Sequence, residues 1–214
     1  MSAITDSTIF GGLFGNSFLY SNENEIKRWH NIAVIKNETV AAHTWDVLKK
    51  AWTIGKLLYL CGYNVDLLVM FEMGMIHDIE EKETGDIPSD YKQELESNMK
   101  RALEKIALQK ACETISTDFF ACLSDLLQER RIVYQEQAII EAQIVRVADC
   151  LSAVSFLEKE VERLNNNLVS KEFGKNIEKM IRLAEQYSWF KKIWLLIFGQ
   201  SLDQFRGMTN ERTF

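Results

Sequence analysis

The chain has 214 residues, of which 47% are hydrophobic and 26% charged, with one proline and ten glycines. This length suits one domain, the composition supports an apolar core, and the scarcity of breaker residues favours helices. The net charge of −6 argues against nonspecific nucleic-acid binding, which needs a basic surface. It leaves a nucleotide ligand open, because a small phosphate group needs only one or two local cations.

The four cysteines are scattered without C-x-x-C spacing, which predicts reduced thiols packed as small apolar residues. The start of the chain has no basic region followed by a long apolar core, so it does not match a signal peptide. No apolar run approaches the about 18 residues that a membrane helix needs. We therefore expect a cytoplasmic protein.

The first 23 residues mix glycine, phenylalanine and serine without a helical period, and we interpret them as an N-terminal arm or loop. A short helix is predicted over residues 24–31. From Thr39 onward, side chains on one helical face recur at steps of three and four, until Gly62 ends the helix. The residues on this face are Val40, His43, Val47, Ala51, Ile54 and Leu58.

The next helix is predicted over residues 65–81, with Asn64 as its N-cap. It is apolar nearly all round as far as His77, which is typical of a buried central helix. Glycine and proline predict a loop at residues 84–90. Further helices are predicted at about 91–114, 117–131, 136–163 and 171–199. The sequence thus predicts an all-α protein, with residues 24–214 as one domain and the last helix packing on the core or at a dimer contact.

Polar side chains that bind metals lie on the apolar faces of three of these helices. His43 belongs to the first, His77 and Asp78 end the second, and Asp149 lies within the helix at 136–163. A carboxylate on such a face must meet a cation, a donor or a metal, because burying it alone is costly. Two imidazoles and two carboxylates converging from three helices suit a divalent transition metal with positions left open for water and substrate.

Each of these residues has a simpler interpretation when it is taken alone. A histidine on an apolar face is often a core residue with its own hydrogen bonds, and an aspartate can bond a backbone group or an arginine. The joint pattern of His43, then His77-Asp78, then Asp149 favours the metal site over these alternatives.

This order of residues resembles the signature of the HD-domain metal-dependent phosphohydrolases. Three segments are similar to bacterial 5′-deoxynucleotidases of the YfbR type: KRWHNIAVIKNETVAAHTWDV, HDIEEKETGDIPSDYK and IVRVADCLSA. They resemble, in turn, the Arg-Trp segment, the His-Asp-x-x-Glu-x-x-Thr-Gly-Asp-[Leu/Ile]-Pro segment and the aspartate-containing helix of that family. The similarity spans about residues 24 to 160, and it implies an HD-domain helical bundle, a hydrolase acting on deoxynucleotides, and a homodimer.

The resemblance implies that His43, His77, Asp78 and Asp149 bind one divalent metal, which would be Co, Mn, Zn, Ni or Fe. His43, Asp78 and Asp149 would also contribute to substrate binding. The sequence VAAHT leaves the polar partner of the His43 ring open, since relatives usually carry Glu or Ser just before this histidine.

The resemblance also implies the residues that handle the substrate. Arg28 would orient the phosphate, and Trp29 would pack against the sugar so that no room remains for a 2′-hydroxyl. Glu81 would position or deprotonate the attacking water. Asp86 would lie beside the sugar and the leaving oxygen, in a substrate loop that extends to Ser89.

The register of the carboxylates separates Glu81 from its neighbours. Glu81 lies three residues after Asp78 and four after His77, so it shares their helical face. Glu80 and Glu83 do not share that register, and we expect both to be solvated.

The leading hypothesis is a 5′-nucleotidase that releases phosphate from deoxynucleoside monophosphates. The alternative on the same site is a hydrolase that removes pyrophosphate or triphosphate from deoxynucleoside triphosphates, for which Lys27, Lys36 and Lys92 are candidate extra cations. A different class is a nucleotide-binding sensor without turnover, and a third is a purely structural helical module without a metal.

Overall fold

The computed structural model describes residues 25–87, 118–164 and 166–211, together with 99, 102–103, 105–107 and 110. The predicted arm, Ser89 and Lys92 lie outside the described residues, as does most of the helix predicted at 91–114. The described helices are α1 (Val40–Leu60), α2 (Leu67–Ile76), α3 (Glu81–Thr84), α4 (Asp118–Glu136), α5 (Ile140–Leu164), α6 (Asn167–Gln186), α7 (Ser188–Phe198) and α8 (Leu202–Glu211). Within these ranges the only β pairing is an isolated bridge between Lys27 and Thr39, which confirms the all-α prediction.

Helix α1 follows the sequence pattern closely. Thr39 is its N-cap and accepts a hydrogen bond from the Ala42 amide at 3.2 Å. The predicted face is buried from Val40 to Leu58, with His43 among its residues. The helix ends at Leu60, and Gly62 follows with φ of 85°, a conformation that glycine adopts without strain.

Helix α2 begins two residues later than predicted. Its N-cap is Asp66 rather than Asn64, and the Asp66 carboxylate accepts hydrogen bonds from the amides of Leu68 and Val69. A capping side chain must precede the first turn directly to reach these amides, and Asn64 is too far upstream. The Asp66 amide is in turn held by Glu141 of α5 at 2.7 Å.

Helix α5 is the centre of the bundle, because α1, α2, α4 and α6 all pack against it. Its inner residues, such as Val145 and Ala148, are fully buried. Helix α2 approaches α1 closely at two glycines. A Cβ on Gly55 would lie 2.6 Å from the Met70 sulfur, and one on Gly74 would lie 2.8 Å from Leu48 Cδ2.

Two predicted helices were wrong. Residues 25–31 are irregular, because their backbone bonds to the segment before α1: the Arg28 amide donates to Glu38 O at 2.8 Å. The helix predicted at 171–199 is two helices, α6 and α7. It breaks at Tyr187, where the backbone is extended so that the buried ring stacks on Trp189 and its hydroxyl bonds Gln137 of the α4–α5 turn.

Other predictions concern the thiols and the membrane. Cys61 and Cys150 are free thiols, the first exposed and the second buried. None of the helices in the described ranges has both the length and the apolar character needed to cross a membrane.

Candidate metal centre

His77 follows the last residue of α2, where the chain is still helical and the side chain turns into the bundle. Its Nδ1 lies 2.8 Å from the carbonyl oxygen of Gly74. A carbonyl can only accept, so Nδ1 carries a proton and Nε2 is the ring nitrogen that faces the cluster. This Nε2 is 3.2 Å from Asp78 Oδ2, and burial of the ring leaves only 1% of His77 exposed.

His43 meets this group from α1 and is fully buried. Its Nε2 lies 3.3 Å from Asp149 Oδ1 and 3.6 Å from Asp78 Oδ2, and its ring centroid is 5.4 Å from that of His77. Burial, assisted by the Arg28 charge, lowers the pKa of His43 to about 4. His43 is therefore neutral at pH 7, as a metal ligand must be.

Ligand atoms of His43, His77 and Asp149 all lie within 4.8 Å of one another. Asp78 joins them through the two short contacts of its Oδ2, so the structure brings together all four predicted ligands. Both Nε2 atoms are buried, and within the described part of the chain neither makes a well-aligned hydrogen bond. Buried nitrogens left in this way are costly, and two imidazoles with two carboxylates are a donor set that fits a divalent transition metal.

Both carboxylates of the cluster are ionised. Burial alone would raise the pKa of Asp149, but Lys179, the close contact with His43 and Arg146 together hold it well below its usual range. Lys179 Nζ is 3.7 Å and Arg146 Nη1 3.2 Å from Asp149 Oδ2, which leaves Oδ1 facing His43. The pKa of Asp78 is also held well below its usual range against the effect of burial, by the adjacent His77 ring and by Arg28, and Asp78 in turn raises the pKa of His77 in spite of burial.

Arg28 and Trp29 lie on the other side of the cluster. Arg28 Nη1 is 3.3 Å from Asp78 Oδ2, and its guanidinium stands 5.5 Å from the Trp29 ring centroid. The Trp29 backbone has φ of 63°, unusual for a large side chain. Its amide bonds Asp86 Oδ2 at 3.3 Å, and its ring stacks on Phe156 of α5 with centroids 5.6 Å apart.

The segment that carries Arg28 and Trp29 is fastened to α5 at a second point. The Ile35 amide donates to Glu160 Oε2 at 2.6 Å, and Glu160 is only 2% exposed. Trp29 and Ile35 are thus both held by the helix that supplies Asp149.

Glu81 begins α3 and is 3% exposed, with its amide bonded to Asp78 O at 2.9 Å. Burial alone would lower the pKa of Arg28, but the charges of Asp78, Glu81 and Asp86 raise it overall. These three carboxylates therefore interact electrostatically with the Arg28 guanidinium. Asp86 follows Gly85, whose φ is 70°. The structure therefore places Glu81 and Asp86 near Arg28.

The prediction that Glu80 is solvated was wrong, whereas Glu83 is exposed as expected. Glu80 is buried in an ion pair with Arg131, because α4 covers the turn after α2. The Arg131 guanidinium lies 5.3 Å from the ring centroid of Tyr134, and that ring meets His77 edge-on. The local register could not reveal this pair, since its second member is 51 residues away.

Sequence reasoning also missed Glu38, whose carboxylate lies near the His43 ring. Glu38 Oε2 lies 3.9 Å from His43 Nδ1 and 3.9 Å from Arg28 Nε, and it accepts a hydrogen bond from Trp29 Nε1 at 3.2 Å. The carboxylate near His43 Nδ1 thus comes from five positions upstream of His43 and not from the adjacent residue. Its position directly before the N-cap Thr39 was the only signal in the sequence.

A groove of about 840 Å³ lies away from this centre, between α1, α5, α6 and α7. Its lining is largely apolar and includes Leu57, Leu151, Ile177 and Phe198. Its described lining contains none of the predicted site residues.

Comparison with known proteins agrees with this geometry. Residues 18–195 match the model of a family described as 5′-deoxynucleotidase YfbR-like. The chain is similar to the 5′-deoxynucleotidase YfbR of Escherichia coli strain K12, with 26% identity over 183 residues that cover 84% of this chain and 89% of the relative. The YfbR protein of Shigella dysenteriae is 25% identical over the same share of both chains.

Two solved structures have the same fold. One is an HD-domain phosphohydrolase from Listeria innocua, with a TM-score of 0.69, 17% identity, and coverage of 90% of this chain and 95% of that one. The other is a protein from Pyrococcus horikoshii, with a TM-score of 0.63, 24% identity, and coverage of 82% and 92%. At these identities the likeness concerns the fold.

Proposed function

This chain belongs to the YfbR-like 5′-deoxynucleotidase family and is a hydrolase with the HD-domain fold, and from this premise we propose that it hydrolyses deoxynucleoside 5′-monophosphates to deoxynucleoside and phosphate. The observation that carries the proposal is the pair Arg28 and Trp29 beside the four-residue cluster. Arg28 contacts Asp78 of the cluster, and Trp29 is anchored to Asp86. A guanidinium that can donate two hydrogen bonds, and an aromatic ring beside a metal-type site, suit the binding of a phosphate attached to a sugar.

We propose that His43, His77, Asp78 and Asp149 hold one divalent metal, whose identity among Co, Mn, Zn, Ni and Fe is open. A bound divalent cation supplies Lewis-acid activation of water and neutralises phosphate charge. Two buried Nε2 atoms that face two ionised carboxylates support this assignment.

In the reaction, the water oxygen forms a bond to phosphorus while the bond from phosphorus to the 5′ oxygen breaks. Glu81 accepts the proton of the attacking water, a role for which its buried position beside Asp78 is suited. Arg28 donates two aligned hydrogen bonds to the phosphate oxygens. The departing 5′ oxygen takes a proton from a solvent water beside Asp86, and Glu81 returns its proton to solvent, so that one water is consumed overall. Trp29 occupies the space that a 2′-hydroxyl would need, and Ser89, which lies outside the described residues, stays a proposed substrate contact.

A second candidate acts on deoxynucleoside triphosphates at the same site. Arg146 and Lys179 favour it, because both lie beside Asp149 and each side chain is 33% exposed, so the centre has cations on two sides. Lys27 and Lys36 are exposed and remain candidates for the same role. A nucleotide sensor without turnover is less well supported, since binding alone has no use for a water-activating Glu81.

A release assay separates these functions. Phosphate and pyrophosphate are measured over deoxy- and ribonucleoside mono- and triphosphates, with each of several divalent metals. We expect phosphate release from the deoxynucleoside monophosphates. If these are untouched while the triphosphates are cleaved, the second candidate replaces the first.

Variants in the same assay test the residue roles. Glu81→Ala should lose turnover by about 100-fold or more while it still binds nucleotide, as expected for loss of a general base. A sensor would be indifferent to this change. Trp29→Ala should raise activity on ribonucleotides relative to deoxynucleotides, and an unchanged ratio would contradict its role in sugar selection.

We also propose a cytoplasmic homodimer whose single domain, residues 24–214, follows an arm at 1–23. Trp45, Trp52 and Tyr59 recur every seven residues along α1 with exposures of 60%, 54% and 52%, which suits a contact between copies. Sedimentation should show a dimer, and Trp52→Glu should shift it toward monomer. Leu168→Glu is the control, because Leu168 is 58% exposed on a different helix. A monomeric wild type would contradict the proposal.

A further inference from the structure

Glu38 contacts Arg28 and Trp29, the two residues proposed to bind the substrate, and also the proposed metal ligand His43. It lies directly before α1 and its side chain is 11% exposed. A single oxygen, Oε2, faces Trp29 Nε1 at 3.2 Å, Arg28 Nε at 3.9 Å and His43 Nδ1 at 3.9 Å. Its backbone carbonyl also accepts the Arg28 amide at 2.8 Å.

We propose that Glu38 is a positioning residue that couples sugar recognition to the metal site, by fixing the edge of the Trp29 indole and the proton of the His43 ring. The proposal rests on the proposed function for the role of Trp29. The pairing of Glu38 with His43 stands on geometry and is independent of the substrate.

The Trp29 side chain needs such an anchor. Its backbone is held at a positive φ by the bond from its amide to Asp86, and its ring plane is set by the stack on Phe156. Stacking with an interplanar angle of 4° defines the plane but allows the indole to slide or turn over within it. The bond from Nε1 to Glu38 selects one of these placements, and thereby fixes which ring edge meets the sugar.

The His43 ring needs a defined proton position. A neutral imidazole carries one proton, and Nε2 must keep its lone pair to act as a ligand. The carboxylate 3.9 Å from Nδ1 attracts the proton to that atom, because a negative charge favours the nearer N–H. His77 Nδ1 bonds the Gly74 carbonyl directly at 2.8 Å, whereas Glu38 acts on His43 from a longer distance through its charge.

The test uses Glu38→Gln and Glu38→Ala in the full-length protein. Manganese binding is measured by titration calorimetry, and the same method compares a deoxynucleoside monophosphate with its ribonucleotide. Gln keeps an oxygen that can accept the Trp29 Nε1 bond but removes the charge. We expect Glu38→Gln to weaken manganese binding by about 10-fold and to keep the deoxy preference, since loss of a ligand's supporting partner typically costs 10- to 100-fold.

Glu38→Ala should lose both properties: manganese binding falls by about 10-fold or more, and the deoxy preference falls by about fivefold, the worth of one hydrogen bond. Trp29→Phe provides the matched background, because phenylalanine has no Nε1. In that background Glu38→Ala should leave the deoxy preference unchanged while manganese binding still falls. Urea midpoints of all variants report any loss of folding.

Several results would overturn the proposal. One is that Glu38→Ala changes neither manganese affinity nor sugar preference, and another is that it changes the preference equally in the Trp29→Phe background. A uniform loss in both variants that follows the urea midpoint would assign Glu38 a structural role only. Because all readouts are binding measurements, a wild type that hydrolyses no deoxynucleotide refutes the proposed function without deciding the role of Glu38.

Discussion

Replacing Glu80 by alanine should destabilise the protein strongly, because it leaves the Arg131 guanidinium buried without its partner. The two side chains are 8% and 7% exposed, so water can compensate neither charge. Removing one member of a buried ion pair typically costs about 3–5 kcal/mol, against about 0–1 kcal/mol for a surface pair. Burial therefore decides the magnitude, and we expect about 3–5 kcal/mol for Glu80→Ala.

The assay is urea unfolding followed at fixed metal concentration, with the slope of the transition checked for constancy. Glu178→Ala is the control: Glu178 pairs with Arg182 on α6, and these side chains are 72% and 66% exposed. Its cost should stay below about 1 kcal/mol. The double replacement of Glu80 and Arg131 by methionine should recover most of the loss, because no unpaired charge remains. A cost below about 1 kcal/mol for Glu80→Ala would refute the reasoning.

Three further predictions follow from the metal centre and its support. Gly74→Ala should lower the free energy of unfolding in urea by about 1–3 kcal/mol, because its Cβ would lie 2.8 Å from the buried Leu48 side chain. An unchanged urea midpoint would show that the Leu48 side chain can move aside. Removing the metal with a chelator should lower stability by about 2.7 kcal/mol relative to protein at a metal concentration 100 times Kd, measured as a shift in thermal midpoint that His77→Ala should abolish. In metal-free protein, burial and the Arg28 charge lower the pKa of His43 to about 4, against about 6.5 in the unfolded chain. The contribution of neutral His43 to the free energy of unfolding is therefore complete above about pH 6.5 and is lost as the pH falls toward 4. His43→Gln should make the urea midpoint depend less on pH between pH 5 and 6.5.

The four clustered ligands could be predicted from sequence because each interrupts an apolar helical face. His43 and Asp149 stand where the period demands buried residues, and His77 ends the most apolar helix. No local preference explains a charged or titratable group on such a face. The simplest interpretation was therefore that these side chains meet in one shared site.

Glu38 and Glu80 could not be predicted because tertiary contacts decide their surroundings. Glu80 lies off the face of the ligands, and it is buried only because α4 brings Arg131 over it. Glu38 precedes α1 in an irregular segment whose backbone pairs with residues 26–28, a pattern without any periodic signal. The break at Tyr187 is similar, since neither glycine nor proline marks it and a distant bond to Gln137 selects it.

Helix α5 fixes the distance between two parts of the candidate site. Asp149 and Phe156 are seven residues apart on this one helix, a span of about 10 Å at 1.5 Å per residue. The distance from the cluster to the stacked Trp29 ring is therefore set by helix geometry and not by a hinge. A single residue inserted between Asp149 and Phe156 would turn the ring about 100° around the axis, away from Trp29. The distance between the metal-type cluster and the Trp29 ring is thus fixed by the number of residues between Asp149 and Phe156.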